Sequence, residues 1–424
     1  MKTIEIKQIK EYIGEEIKIR GFVQAIRSQS KIEFLILRQK EMILQCISFS
    51  KESESVQLSQ IAPESVVEII GMPKQEKQAP QGIELEIRKI KILSKAKELP
   101  IQVYEKSGEA TLSKRIEYRW LELRKPDKIK TFQIWTMFEA GCREYFLEKD
   151  FMQIYTPSFM STPSESGAEV FEVSYFKQKA YLAQSPQFYK QMAMASGFEK
   201  VFMTGPVYRA EKSDTPRHMT EFTGLDVEIS YITEIEELMQ VEEELIISGF
   251  KKLKQSGFEL EIPKRFTKVT LKEAKQKLKQ KGIVSEKESD LSVLEEKEIC
   301  KIIKQETGSD FVFITKYPIE SRPFYHMRHK EEPSLTKSYD LLYKGIEITT
   351  GAIREHRIEI LKQQAKEKQM GLKSLEKYFE FFEYGCPPHG GFGIGMARII
   401  MKILEQESIQ EVTFLPRTPS KLTP

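Results

Sequence analysis

Cysteine is scarce and scattered: the four thiols, Cys46, Cys142, Cys300 and Cys386, lie far apart along 424 residues and form no CxxC pair. That spacing argues against a zinc ribbon and against a disulfide framework, and leaves buried or incidental thiols as the expectation. Also missing is any apolar run approaching the roughly 20 residues that span a bilayer, so a soluble chain with no membrane partner is expected. Met1 runs directly into Lys2, Ile4 and Glu5, with charges interrupting every apolar stretch. Neither a secretory signal nor an Arg-rich, acid-poor transit peptide is visible, which makes the cytoplasm the expected address. Charge of one sign is absent too. A net charge of +3 announces no nucleic-acid partner, although a basic face can sit inside a nearly neutral total.

What is present points to two domains, because 424 residues exceed what one hydrophobic core usually organises. From Ile17 to Leu93 the segments IKIRGFVQAI, IEFLILRQ, MILQCISF, SVVEIIG and IELEIRKIKIL alternate with turns, a pattern expected of a small five-stranded barrel. MPKQEKQAPQG between the last two reads as a surface hairpin loop. The first domain is expected over residues 1–99, a helical hinge over 100–125, and a second domain over 126–424, with Pro126 starting a new helix. In the second domain, strand-like runs (QIYTPSFM, VFEVSYF, AYLAQS, KVFMTGPVYRA, EFTGLDVEISY) precede helices at about 232–256, describing an antiparallel sheet flanked by helices, an α+β arrangement. The Lys/Glu-rich segment 264–309 reads as helices with solvated faces and is assigned no chemistry. Strands DFVFITKYP and SYDLLYKGIEITTGAI, a helix at about 355–369, and a Gly-rich turn opening a helix at 393–405 complete the chain.

Three stretches carry chemistry. In VYRAEKSDTPRHMTEFTGLDVE, Arg209, Glu211, Arg217 and His218 surround a polar loop between two strands. Arginine offers a planar fork of donors that matches phosphate or carboxylate and stays charged near neutral pH. A plain Arg209–Glu211 salt bridge is the bland alternative; the positive loop that follows favours an anion site. In GCPPHGGFGIGMARIIMKIL, Gly390, Gly391, Gly393 and Gly395 stand ahead of a helix carrying Arg398; glycines admit close backbone approach to a ligand, although the spacing matches neither the P-loop nor the dinucleotide fingerprint. EITTGAIR places Glu347, Thr350 and Arg354 at a strand end, suited to magnesium and an acid, with an exposed strand end equally open. Lys190 in QSPQFYK and Glu165 in PSESGAEVF stand in the same position.

Taken together these stretches resemble the aspartyl-tRNA synthetases. FMTGPVYRAEKSDTPRHMTEFTGLDVE is similar to motif 2 of class II synthetases in its aspartyl version, GIGMAR to motif 3, and the segment from the hinge helix through Phe151–Pro157 to motif 1, a dimer-interface element. YLAQSPQFYKQ, SRPFY, SYDLL and GCPPH are similar to aspartyl members as well, so the resemblance spans essentially the whole chain. It implies an N-terminal all-β OB-fold barrel that binds the anticodon and a C-terminal α+β class II catalytic domain, in the class IIb archaeal or eukaryotic type, since the large bacterial insertion between motifs 2 and 3 is absent.

The implied activity is ATP-dependent activation of L-aspartate to aspartyl-adenylate, followed by transfer to tRNA(Asp), in a homodimer. Arg209 is then the catalytic cation, on the α-phosphate and the aspartate carboxylate. Aspartate would be held by Glu165, Gln187, Phe188, Tyr189, Lys190, Arg209, Thr350 and Arg354, with Glu165 on the amino group and Lys190 and Arg354 on the side-chain carboxylate. ATP would lie against Arg209, Ala210, Glu211, Arg217, His218, Met219, Phe222, Glu347, Gly395, Met396, Ala397 and Arg398, with adenine between Phe222 and Arg398. Glu347 and Thr350 would carry Mg2+, and Phe34, Gln45 and Glu86 would contact the anticodon; core burial is the alternative for Phe34 and for Phe222. Two departures stand out: Ala397 replaces a usual acidic residue, and Phe392, where glycine is common, is expected to narrow the backbone's approach to ATP. An asparaginyl-type synthetase, a tRNA-independent asparagine synthetase on the same core, and a non-catalytic RNA-binding relative are the rival readings.

Overall fold

The computed structural model describes residues 2–29, 32–49, 58–104, 110–164 and 169–423. The chain divides into two compact units, Met1–Phe132 and Gln133–Pro424.

In the first unit, five strands, Ile17–Gln29, Ile32–Gln39, Met42–Phe49, Val66–Gln75 and Ile83–Ser94, close into an OB-type barrel. Closure comes from the first strand pairing with both the second and the fourth, and from the third lying parallel to the fifth. Period-two alternation sends Ile19, Val23, Leu35, Leu37, Cys46, Val67, Ile69 and Leu85 to full burial inside. The expected hairpin loop is shorter than its composition suggests, because Val66–Gln75 stays paired through Pro73 to the opposite strand. At Gly71 a Cβ would lie 2.3 Å from the Glu86 carbonyl oxygen, so only glycine lets the two strands approach there. Residues of the 100–125 segment are integral to this unit. Arg124 reaches Glu64 at 3.1 Å, which also holds the buried Arg38 at 2.7 and 2.8 Å, and Phe22 lies under both guanidinium groups.

The second unit is built on an eight-stranded sheet in the order Phe266–Thr270, Phe311–Thr315, Ser338–Tyr343, Ile346–Arg354, His389–Gly395, Glu221–Ser230, Lys200–Tyr208, Met152–Gln153. The inner pairings are antiparallel as expected, and the two outermost are parallel. One of those edges, Phe266–Thr270, lies inside the segment read from sequence as helices alone. Helix Ile235–Gln255 packs its Leu238, Leu245, Ile246 and Leu253 on one face of the sheet, against Leu225, Val227, Ile353 and Phe392. Alternation therefore turns Gly224, Asp226 and Glu228 to the other face.

The Gly-rich segment is strand, not turn: His389–Gly395 is a central strand, and the helix that follows is Met396–Ile403. Its glycines leave room for neighbouring side chains. A Cβ on Gly391 would meet Glu228 Oε2 at 2.1 Å, and one on Gly393 would meet Asp226 Oδ1 at 2.9 Å. Phe392, between them, points the opposite way into the core with no exposure. Its ring therefore narrows nothing on the cavity side. No helix among the described residues is long and apolar enough to cross a membrane.

Candidate active site

A cavity of about 290 Å³ opens on the face carrying Asp226, between the sheet and the loop following Lys200–Tyr208. Among residues singled out from sequence, Gln187, Lys190, Arg209, Glu211, Arg217, His218, Met219, Phe222, Glu347, Thr350, Arg354, Gly395, Ala397 and Arg398 line it. Others do not. Phe188 stacks on Tyr378 at 4.1 Å in the core behind the wall, Tyr189 bonds the Phe159 carbonyl, and Met396 is buried in the main core. Ala210 contributes its N–H to the Glu169 carbonyl at 3.0 Å. Glu165 lies outside the described residues.

At one end of the cavity two buried cations are braced by two carboxylates. Lys190 Nζ donates to Asp226 Oδ1 at 2.9 Å, the Phe392 carbonyl at 3.1 Å and the Val227 carbonyl at 3.3 Å. Three protons meet three acceptors, so the influence open to Lys190 on a bound anion is its field. Arg354 donates through Nε to Glu228 Oε1 at 3.0 Å and through Nη2 to the Gly391 carbonyl at 2.9 Å. Burial works against the Glu228 charge, but Arg354 and Lys190 outweigh it and hold the carboxyl below its ordinary range. His326 faces Arg354 Nη1 at 3.2 Å. Burial, then the Arg354 charge, lowers its pKa well below the usual histidine value, so the ring is neutral and accepts through Nε2. Among the described residues Gln187 Nε2 and His326 Nδ1 are buried without partners, donors suited to a ligand.

At the other end lie the groups expected for a nucleotide. Arg209 follows its strand directly, and its N–H bonds the Thr220 carbonyl at 2.9 Å, closing the hairpin that carries the loop. Among the described residues its Nε is buried without a partner. The guanidinium lies 5.5 Å from the half-buried Phe222 ring. His218 is held below its ordinary pKa by burial first and by Arg398 next, and its Nδ1 contacts Thr215 Oγ1 at 2.6 Å.

Glu347 and Thr350 are three apart, which on a regular strand would place them on opposite faces. A bulge removes the conflict: Leu341 pairs with Thr349 while Leu342 pairs with Glu347, so Ile348 is the extra residue. Thr350 Oγ1 consequently donates to Glu347 Oε1 at 3.1 Å. Loss of solvent raises the Glu347 carboxyl above its ordinary pKa, and the Asp340 charge adds to this. A carboxylate and a hydroxyl oxygen under that repulsion suit a hard divalent cation, which takes few protein oxygens and completes its shell with phosphate and water.

Sequence reasoning missed Asp226, Glu228, His326 and Glu296. The first two carried a signal, since carboxylates two apart in a strand-like segment share a face and demand cations if buried. Glu296 carried none. It sits on helix Val293–Thr307 in the Lys/Glu-rich segment, yet its carboxylate contacts Arg217 and accepts from the Glu347 N–H at 3.3 Å. Burial pushes it up to about 7 in spite of Arg217.

Residues 111–419 match the class II tRNA synthetases of the D, K and N group, and residues 17–93 the OB-fold nucleic acid binding domain. The chain belongs to the class II tRNA synthetases. Among similar members, the aspartate–tRNA(Asp) ligase of Pyrococcus furiosus is 38% identical, the match covering 98% of each chain. The aspartate–tRNA(Asp/Asn) ligase of Aeropyrum pernix is 36% identical over 97% of this chain and 96% of that one. The asparaginyl-tRNA synthetase of Pyrococcus horikoshii, solved with asparaginyl-adenylate, superimposes with a TM-score of 0.91 at 27% identity over 99% of each chain. The aspartyl-tRNA synthetase of Entamoeba histolytica gives 0.87 at 31% identity, covering 100% of this synthetase and 93% of the other.

Proposed function

We propose that this synthetase is an aspartate–tRNA ligase that forms aspartyl-adenylate from L-aspartate and ATP and transfers the aspartyl group to tRNA(Asp). The observation that carries the choice of amino acid is the braced pair Lys190 and Arg354 in one wall of the cavity. Both cations are fixed before substrate arrives, so a side-chain carboxylate gains their field without reorganisation. The neutral amide of asparagine would gain little from the Lys190 field and would turn NH2 donors toward the Arg354 guanidinium.

Aspartate would lie against Gln187, Thr350 and Arg354, with an α-carboxylate oxygen attacking the α-phosphorus of ATP. As that O–P bond forms, the bond to pyrophosphate breaks, and Arg209 neutralises charge developing on the α-phosphate. Glu211, Arg217 and His218 would hold the polyphosphate, and Phe222 and Arg398 the adenine. Glu347 and Thr350 would hold Mg2+, which neutralises phosphate charge when bound. A terminal ribose hydroxyl of tRNA then attacks the aspartyl carbonyl and AMP leaves.

Phe34, Gln45 and Glu86 are proposed to contact the anticodon. Support comes from strand register. Phe34 pairs with Ile47, which pairs with Glu86, and Ile36 pairs with Gln45, so the three share one barrel face opposite the buried Leu35 and Cys46. We further propose 1–99 as the anticodon domain, 100–125 as the helical hinge, 126–424 as the catalytic domain, a cytoplasmic location, and a homodimer. Exposed Leu147, Met152, Tyr155 and Phe159 around the motif 1 segment support the dimer, and light scattering that finds only monomer would count against it.

The test of function is ATP–pyrophosphate exchange with aspartate, asparagine or lysine, followed by charging of tRNA(Asp) and tRNA(Asn) transcripts. Exchange with aspartate alone and charging of tRNA(Asp) is the expected result. Exchange with asparagine alone would transfer the chain to the asparaginyl reading, and no exchange from folded protein to a non-catalytic RNA-binding role.

A further inference from the structure

We infer that Glu296 is a positioning residue of the nucleotide site: its carboxylate aims Arg217 at the ATP polyphosphate and fixes the Glu347 peptide. The inference rests on the reading that Arg217 and Glu347 serve ATP.

Two acidic residues stand side by side at the start of helix Val293–Thr307, and they do different work. Glu295 completes the capping box with Ser292 and pairs with Lys275 Nζ at 2.8 Å. Glu296 takes no part in the cap and is turned the other way, 13% exposed, onto Arg217, which is 16% exposed. A carboxylate so enclosed is not stabilising by its pairing alone, because desolvation offsets much of the attraction. Its partners are instead the two groups that flank the phosphate end of the cavity. Arg217 projects from an irregular loop, where a long side chain has many rotamers to lose before it can meet a ligand. Glu296 engages its Nη2, and Arg217 remains part of the cavity wall. The Glu347 main chain is held on both sides of its Cα, the N–H by Glu296 at 3.3 Å and the carbonyl by Arg398 Nη1 at 2.9 Å. One carboxylate thus couples the loop, the bulged strand and, through the Glu347 main chain, Arg398.

The test is ATP–pyrophosphate exchange by the full chain, with ATP and aspartate varied separately, for Arg217→Ala, Glu296→Ala, Glu296→Gln and the double alanine variant. Loss of a charge-assisted bond in such a site predicts a rise of about tenfold in the ATP KM for Glu296→Ala. The aspartate KM should stay within twofold, a bound of order RT. Glu296→Gln, which keeps one acceptor oxygen, should fall between it and wild type, and the double variant should be no worse than Arg217→Ala. An ATP KM that rises for Arg217→Ala and not for Glu296→Ala would overturn the inference while leaving the ATP site standing. Multiplying effects in the double variant, or equal rises in both KM values, would overturn it too, by showing independent action or general loosening. An Arg217→Ala variant with wild-type ATP KM would instead remove the ATP-site reading beneath it.

Discussion

In the catalytic cavity the ions are tied down by protein groups, Lys190 to Asp226 at 2.9 Å and Arg354 to Glu228 at 3.0 Å. On the outer barrel face, by contrast, Phe34 is half-buried, and Glu86, across the intervening strand on the same face, makes contacts to Arg88 at 3.4 Å and Lys74 at 3.7 Å that are long and solvated. The cavity holds its charged groups in place without a ligand, at the cost of desolvating charge; the barrel face, proposed to meet the anticodon, keeps groups that are free to re-pair. Truncation should therefore be expensive in the first and mild in the second.

The largest effect that would break this contrast is at Arg209, whose buried Nε has no partner among the described residues. Arg209→Ala should lower exchange about 1,000-fold, as removal of preorganised transition-state donors does, with tRNA affinity unchanged. A loss under tenfold would place the reacting phosphate elsewhere. Next, Arg354→Leu leaves Glu228 buried without its strongest partner; kcat/KM for aspartate should fall roughly 100-fold while the ATP KM holds. Unchanged aspartate activation would sink the role given to Arg354.

A smaller effect concerns stability. Glu242 is fully buried beneath the catalytic sheet and accepts from the Tyr339 hydroxyl at 2.7 Å, and burial pushes it up to about 7. Its folded pKa lies above its unfolded one, so the folded state is favoured by the protonated form. That advantage is complete below about pH 4.5 and lost as pH rises through about 7. Glu242→Gln should then match wild type near pH 5 and exceed it by roughly 2 kcal/mol at pH 8 in urea unfolding of the catalytic unit. A gap that does not grow with pH would mean the carboxyl is not proton-linked to folding. The smallest effect is Phe34→Ala, expected to weaken tRNA binding about tenfold with exchange untouched; equal loss of exchange would erase the distinction between the two units.

The sequence by itself determined the strands of the barrel, because alternation over Ile17–Gln29 and Ile32–Gln39 survives any arrangement that buries one face. Most of the residues that line the cavity are legible in the sequence through the resemblance of whole stretches to one family, because the charge of Arg354 near a strand end suits a solvated surface as well as a ligand. Tertiary structure decided the rest. Glycines at 391 and 393 read as a turn, but the segment pairs with a strand on each side, and its glycines leave the space that Glu228 and Asp226 occupy. Glu347 and Thr350 share a face only through a bulge set by the neighbouring strand, and Lys190, on a helix, spends its protons on acceptors from two strands. Glu296 meets Arg217 across 79 residues of sequence. Local patterning fixes which face a residue takes within its own element, but pairing between distant segments fixes which charges meet, and that depends on register and burial that no single window of sequence contains.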